Sequence, residues 1–315
     1  MQGKIAVALG GGCARGWAHI GVLKALKRAG LTPDIVVGTS IGALVGGCYA
    51  ADGLDALEEF ATSLTRRRVF GFLDFNLGGT GLILGRRLCQ TLDSHLGDIQ
   101  IENLDLPFVS VATEIGTGHE IWLNNGRLVD AMRASYALPG IFRPVLIDDR
   151  WLMDGALVNP VPVSVCRALG ARVVIAINLN SEIFGRTAVV PGSSNPDTGP
   201  TSGIGQDLDE GLSSALQPIA HVKTATQLLH RQLFGRRGDA APGISSVMMD
   251  AFNITQDRIA RSRLAGDPPD LTITPDLTGL GLFDFHRADE LIASGEAATE
   301  RAIGNIRSKL ETIAA

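Results

Sequence analysis

A serine framed by two glycines is the first feature of the sequence that suggests chemistry. The segment reads Gly38-Thr39-Ser40-Ile41-Gly42, between an apolar run that predicts a buried strand and another that predicts a helix. The pattern G-x-S-x-G at such a turn exposes a serine hydroxyl at the apex, and Gly38 and Gly42 permit close backbone approach. Because the chain contains 38 glycines, these five residues also fit an ordinary turn with an incidental serine. The strand–turn–helix context favours a nucleophile for acyl transfer.

A second glycine-rich segment follows the first predicted strand and reads Gly10-Gly11-Gly12-Cys13-Ala14-Arg15-Gly16. A dinucleotide fingerprint is excluded because Arg15 stands where the third glycine is required. A phosphate-binding P-loop is excluded because Trp17 follows Gly16 in place of lysine. The remaining interpretation is a group of backbone N–H donors beside a guanidinium, which suits an oxyanion or a lipid phosphate. A glycine turn for close helix–sheet packing fits the segment equally well.

The group that would activate the serine is less evident from the sequence. None of the six histidines follows a late strand in a catalytic setting, so a surface or packing role is expected for each: His19, His95, His119, His221, His230 and His286. A carboxylate is the other choice. Asp154 ends an apolar strand predicted from Arg150 and is followed by Gly155-Ala156, which allows close backbone approach. Taken alone, Asp-Gly is an ordinary turn dipeptide.

Taken together and in this order, the three segments resemble the patatin-like phospholipases, lipid acyl hydrolases that use a Ser–Asp dyad without histidine. The resemblance implies that Ser40 is the nucleophile and Asp154 the base. It further implies an oxyanion hole formed by the amides of Gly11, Gly12 and Cys13, with Arg15 as its basic residue. Further similarity is found in these segments: Ala131-Met132-Arg133-Ala134-Ser135, Leu138-Pro139-Gly140-Ile141-Phe142, Pro144, and Leu282-Phe283-Asp284-Phe285-His286-Arg287.

One residue departs from the family pattern. Cys13 occupies a position that is usually glycine, and its Cβ would restrict the loop if the backbone there has a positive φ. A cysteine retains the backbone N–H that an oxyanion hole needs. An exposed thiol at this position would make activity sensitive to oxidation, whereas a small buried residue without a chemical role is the simpler interpretation.

The resemblance implies a fold, an activity and a set of alternatives. The expected fold is an α/β, doubly wound, mostly parallel sheet with helices on both faces, in a single domain over residues 1–315. The expected activity is hydrolysis of phospholipids or other fatty-acyl esters, with no cofactor and no metal. Two alternatives stay open: a thioesterase or lysophospholipase with the same dyad, and a regulatory or binding protein with little turnover.

Composition limits the partners and the compartment. Hydrophobic residues make up 45% of the chain, and the net charge of −5 argues against nucleic-acid binding and against strong attraction to anionic membranes. Four scattered cysteines show neither metal-ligand spacing nor a disulfide framework, which favours the reducing cytoplasm. Because no apolar stretch is long enough to span a bilayer, a lipid substrate is expected to come from peripheral contact at the inner membrane face or from a soluble carrier. The sequence does not indicate an oligomeric state.

Hydrophobic periodicity predicts the elements that position these residues. Strands are expected at 4–10, 35–39, 107–113, 120–123, 172–178 and 270–274, with later helices at 211–235, 243–264 and 286–311. Residues 66–86 combine basic, aromatic and glycine residues, which fits either a lid or acyl-binding rim or an ordinary loop that buries its aromatics. Residues 186–210 are rich in Gly, Ser, Pro and Thr and predict a flexible insertion.

Overall fold

A computed structural model describes residues 4–65, 69, 86–180 and 244–314 of the chain. The strands in these residues are β1 (Ile5–Leu9), β2 (Ile35–Thr39), β3 (Phe108–Glu114), β4 (Glu120–Leu123), β5 (Val145–Ile147), β6 (Arg150–Asp154), β7 (Val173–Ile177) and β8 (Leu271–Ile273). The α-helices are α1 (Ala18–Arg28), α2 (Ile41–Ala50), α3 (Leu54–Thr62), α4 (Arg86–Leu96), α5 (Leu128–Ser135), α6 (Val163–Ala168), α7 (Ile244–Gly266) and α8 (Ala288–Ala314). Short 3-10 helices lie at Cys13–Trp17, Ile101–Asn103 and Gly155–Leu157.

All eight strands form one sheet in the order β5-β6-β3-β2-β1-β7-β8, with β4 paired to β3. The pairs among β3, β2, β1, β7 and β8 are parallel, and those that involve β4, β5 or β6 are antiparallel. Alternate strand residues point into two separate cores, since neighbouring side chains of a strand face opposite ways. One core includes α1, α2, α5 and α8, and the other includes α6 and Ala260 of α7. The predicted doubly wound, mostly parallel sheet is confirmed.

The register along β3 brings two distant parts of the chain together. Thr39, the last residue of β2, pairs with Val111 of β3, whereas Asp154, the last residue of β6, pairs with Ala112. β4 pairs with the other edge of β3 at the same residues. β6 therefore pairs with the edge of β3 that β2 occupies, beyond the point where β2 ends at Thr39. The antiparallel β6 therefore ends beside the turn that follows β2, and Asp154 faces the residue after Thr39.

The observed elements follow the predicted ones closely. The five predicted strands before residue 180 and the late strand at 270–274 occur within one residue of the predicted bounds at each end. The hairpin partner β5 was not predicted, because three half-exposed residues carry little periodicity. The expected lid at 66–86, the insertion at 186–210 and the helix at 211–235 lie outside the described residues, apart from Val69 and the first residue of α4. Among the described helices, none is both long and apolar enough to cross a bilayer.

Candidate active site

Ser40 occupies a strained turn between β2 and α2. Its backbone lies at φ 58° and ψ −125°, a conformation that costs a non-glycine residue about 1–3 kcal/mol. A Cβ at Gly38 would lie 2.3 Å from the Gly42 carbonyl oxygen, and a Cβ at Gly42 would lie 2.2 Å from the Leu9 carbonyl oxygen. Both predicted turn glycines are thus required by close backbone approach. The turn places the serine hydroxyl at the N-terminus of α2, where the helix dipole favours negative charge.

The Ser40 hydroxyl donates a hydrogen bond to Asp154 Oδ2 at 2.6 Å. Both side chains are almost fully buried, with exposed fractions of 6% for Ser40 and 1% for Asp154. The other carboxylate oxygen, Oδ1, accepts the Ala156 N–H at 2.8 Å, and the Thr113 hydroxyl donates to the Asp154 carbonyl at 2.8 Å. The carboxylate is therefore held at both oxygens, and one of them points at the serine hydroxyl.

Burial has a large effect on the acid–base behaviour of Asp154. Removal from water raises its pKa to about 7, although the hydrogen bonds from Ser40 and Ala156 act in the opposite direction. A carboxylate with its ordinary pKa of about 4 would be a weak base at neutral pH. The environment of Asp154 thus brings its proton affinity to the range in which a general base works best.

The glycine-rich segment after β1 lies next to this pair but offers fewer free donors than expected. The Gly10 N–H donates to the Ile177 carbonyl at 3.1 Å, and the Gly11 N–H donates to the Pro160 carbonyl at 2.9 Å. Its amide is engaged in this structure, so Gly11, which the resemblance gives as an oxyanion donor, anchors the loop here. The amides of Gly12 and Cys13 donate to no other residue in the described part of the chain.

The Arg15 side chain, which the resemblance gives as the basic residue of the loop, is held by a backbone carbonyl. Its Nε and Nη2 donate to the Leu280 carbonyl at 2.9 and 2.8 Å. The guanidinium thereby ties the glycine loop to the segment before α8, and burial lowers its pKa from the ordinary value. A side chain engaged in this way supports the loop, and its charge still acts on Cys13, where it opposes the rise in the thiol pKa.

Cys13 adopts the conformation that the sequence left open. Its φ is 50°, so the position favours glycine and a cysteine there carries backbone strain. Its side chain is half-buried. Burial, with a smaller contribution from the charge of Asp154, raises the pKa of the thiol to about 12. Because the thiolate is the form that oxidants attack, a protonated Cys13 favours the structural interpretation over a redox role.

His19 packs against the glycine-rich loop that follows β1. It lies fully buried in α1, and its Nε2 is 2.7 Å from the Gly10 carbonyl oxygen, which identifies Nε2 as the protonated nitrogen. Burial lowers its pKa to about 4, so the ring is neutral at physiological pH. The predicted packing role for His19 matches this position, and the ring is committed to the backbone of the loop.

Three residues near the pair were not assigned a role from the sequence. The Ser135 hydroxyl accepts the Ser40 N–H at 2.8 Å and donates to the Val111 carbonyl, so it fixes the backbone of the nucleophile turn. Gln256 lies next to the glycine loop, since its Oε1 would be 3.9 Å from a Cβ at Gly11. The Nδ2 of Asn180 is 3.5 Å from Gln256 Oε1. A sequence signal for Gln256 exists in the buried polar stripe of α7, formed by Asn253, Gln256 and Asp257 at helical spacing.

A mostly parallel α/β sheet with a serine on the sharp turn after one strand is the arrangement of serine α/β hydrolases. Residues 7–167 match the family model for patatin-like phospholipase. An uncharacterized NTE family protein of Mycobacterium tuberculosis is 30% identical over 338 residues, which cover 95% of this chain and 91% of the relative. The chain belongs to the patatin-like phospholipase family, and this membership supports lipid acyl hydrolysis as its general activity.

Two larger animal proteins share the same region. Human patatin-like phospholipase domain-containing protein 6 is 37% identical over 191 residues, which cover 56% of this chain and 13% of the human protein. Neuropathy target esterase sws of Drosophila melanogaster is 35% identical over 185 residues, covering 57% of this chain and 13% of the fly protein. The chain therefore corresponds to a small part of each of these animal proteins.

Proposed function

We propose that the protein is a serine acyl hydrolase of fatty-acyl esters, phospholipids among them, in which Ser40 is the nucleophile and Asp154 the base. The observation that carries the proposal is the 2.6 Å hydrogen bond from the Ser40 hydroxyl to a buried carboxylate. A nucleophile within hydrogen-bond reach of a base whose pKa is near neutral can be activated for acyl transfer. His19, the histidine that contacts the loop, is engaged by the Gly10 carbonyl.

The proposed reaction has two halves. Asp154 accepts the proton of Ser40 as the serine oxygen attacks the ester carbonyl, and the alcohol leaves with a proton returned by Asp154. The amides of Gly12 and Cys13, together with the N-terminus of α2, stabilise the negative charge on the carbonyl oxygen. Water activated by Asp154 then attacks the acyl-enzyme and releases the fatty acid and free Ser40.

Family membership narrows the substrate to lipid esters, and the name of the fly relative, an esterase, agrees with ester cleavage. A thioesterase or lysophospholipase would use the same pair of residues, so relative rates on diacyl, monoacyl and thioester substrates separate these activities. A regulatory protein with little turnover is the alternative of another class. The buried, hydrogen-bonded Ser40–Asp154 pair favours the enzyme, because a protein that does not turn over gains nothing from a carboxylate whose pKa is raised toward 7.

We also propose that residues 1–315 form one domain in the cytoplasm. The support for one domain is the continuous sheet, whose strands come from both ends of the described chain. The support for a reducing compartment is the state of the cysteines, since Cys13, Cys48, Cys89 and Cys166 are all free. Labelling of the free thiols in extracts prepared without reductant tests the second proposal.

A fluorophosphonate probe tests the nucleophile directly. We expect the wild-type protein to form one covalent adduct, mapped by mass spectrometry to Ser40, because only an activated serine attacks the phosphorus at a useful rate. Ser135, the neighbouring buried serine that serves the backbone, is the internal control and should stay unmodified. An adduct on Ser135, or none on a folded protein, contradicts the proposal.

The pH dependence of hydrolysis tests the base. Asp154 acts as a carboxylate, and burial raises its pKa to about 7, so kcat/KM should rise with pH and reach half its plateau near pH 7. Below that value the rate should fall about tenfold per pH unit, since only the ionised fraction is active. The measurement is the initial rate on a soluble short-chain ester between pH 5 and 9, roughly two units on each side of the midpoint. A rate that stays at its plateau down to pH 5, about two units below, would show that Asp154 keeps its ordinary pKa or is not the base.

A further inference from the structure

Three large apolar side chains form an exposed row across strands β5, β6 and β3. Leu146 of β5 is directly opposite Trp151 of β6. The N–H of Ile115, the residue after β3, donates to the Trp151 carbonyl at 2.8 Å, so Ile115 is opposite Trp151 on the other side. Because directly opposed residues of neighbouring strands lie on one face, the three side chains are adjacent. Their exposed fractions are 52%, 54% and 40% for Leu146, Trp151 and Ile115.

The row lies beyond the catalytic end of the sheet. Thr39, which precedes the nucleophile, pairs with Val111 of β3, and Ile115 is four residues further along. At about 3.3 Å per residue, the row extends roughly 13 Å past the level of Thr39, in the direction in which Ser40 follows β2. Met248 of α7 is also half exposed. It lies next to Gly140, a residue of the loop that leads to β5, since its Cε would be 3.5 Å from a Cβ at Gly140. Met248 therefore adds exposed apolar surface at the loop that leads to β5, the strand that carries Leu146.

The charged residues around the row are mostly acidic. Asp148 and Asp149 form the exposed turn between β5 and β6, and Arg143 is exposed just before β5. Arg150 and Glu114 alternate with Trp151 and Ile115 along their strands, so this ion pair lies on the other face of the sheet. One cation and two carboxylates next to the row give it no excess positive charge that would attract anionic lipids or nucleic acid. Its chemistry matches a lipid surface without net charge, on which tryptophan partitions favourably at the level of the headgroups.

We propose that the row of Leu146, Trp151 and Ile115 docks the protein on a zwitterionic phospholipid surface and holds the Ser40 end of the sheet against the lipid. The choice of a lipid surface as the occupant rests on the proposed function, since the substrate of the site is a lipid ester. None of the three residues belongs to the segment 66–86 that the sequence suggested as a rim, and all of them lie in the described part of the chain.

The test measures docking apart from hydrolysis. The Ser40→Ala variant, which cannot consume the lipid, is mixed with phosphatidylcholine vesicles and with vesicles containing phosphatidylglycerol, and binding is followed by co-sedimentation. An additional Trp122→Phe change leaves Trp151 and the buried Trp17, which is 2% exposed, as the only tryptophans. We expect a blue shift of the emission and binding to phosphatidylcholine that is tighter than binding to phosphatidylglycerol vesicles. Trp151→Glu should weaken partitioning at least about tenfold, whereas Ile254→Glu, a similarly exposed residue of α7 outside the row, should not.

Each outcome separates docking from catalysis. Hydrolysis of a soluble short ester by the wild type without vesicle binding overturns the docking and leaves the proposed function. Vesicle binding without hydrolysis of any ester overturns the proposed function and leaves the docking. Tighter binding to phosphatidylglycerol, emission of Trp151 that is already blue without lipid, or a dimer that Trp151→Glu dissociates would each overturn the docking. The Trp151→Glu variant should hydrolyse the soluble ester at the wild-type rate. A lower rate would show that Trp151 supports the candidate site and not the contact with lipid.

Discussion

Replacement of Ser40 by alanine is expected to lower kcat/KM for a fatty-acyl ester by about a thousandfold or more. The substitution removes the oxygen that would form the acyl-enzyme, and no other hydroxyl in the described residues hydrogen-bonds to the Asp154 carboxylate. Fluorophosphonate labelling should disappear at the same time. The fold should persist, because alanine keeps the backbone of the turn and Ser135 still accepts the N–H of residue 40, while Asp154 Oδ2 loses its hydrogen-bond donor at a cost of about 1–3 kcal/mol.

Ser110→Ala is the matched control for this experiment. Ser110 is another fully buried serine, on β3, whose hydroxyl donates to the Ala131 carbonyl and does not reach the site. We expect this variant to hydrolyse the ester at nearly the wild-type rate. Equal losses in the two variants would indicate damage to the core, and a fully active Ser40→Ala protein would exclude Ser40 as the nucleophile.

Replacement of Asp154 by asparagine is expected to lower kcat/KM by about a hundredfold to ten-thousandfold. Asparagine has nearly the same shape, and its oxygen can still accept the Ala156 N–H, but it cannot take the proton of Ser40. The rise of activity with pH should disappear from whatever rate remains. The measurement is the pH–rate profile of the variant on the soluble ester beside that of the wild type.

The same variant should be more stable than the wild type at pH 8. Since burial raises the pKa of Asp154 from about 4 in the unfolded chain to about 7 in the fold, the folded state favours the neutral form. The contribution of Asp154 to stability is greatest below about pH 4, falls as pH rises from about 4 to about 7, and is constant above that. Asparagine avoids the cost of the buried charge, a few kcal/mol in order of magnitude, so the Tm should rise by a few degrees.

Asp270→Asn distinguishes the catalytic role of Asp154 from a general effect of removing a carboxylate. Asp270 precedes β8 at the end of the sheet away from Ser40, where it accepts from Arg167 and from the Val174 N–H. Its pKa is lowered by these hydrogen bonds, so the loss of its charge should destabilise the fold at neutral pH and leave kcat/KM unchanged. A wild-type rate in Asp154→Asn, or a lower Tm at pH 8, would contradict the assigned base.

Local features of the site could be predicted because they depend on neighbours in the sequence. Gly38 is required by a contact with Gly42, only four residues away, so the pattern alone predicts the turn, whereas Gly42 is required by Leu9 of the neighbouring strand β1. The parallel strands are mainly apolar, and their bounds follow from this composition. Asp154 was identified only with the help of a family resemblance, since Asp-Gly has no distinctive local preference.

The sequence by itself determined the strand–turn–helix unit of the nucleophile, the alternation of strands and helices, and the apolar character of the two cores. Only the tertiary structure decided which groups meet and which donors stay free. Ser40 and Asp154 are 114 residues apart and meet because β6 continues along the edge of β3 that β2 leaves. The Gly11 amide and the Arg15 guanidinium are engaged by Pro160 and Leu280, carbonyls contributed by distant segments. Backbone conformation depends on adjacent residues, whereas hydrogen-bond partners and burial depend on the packing of the whole chain.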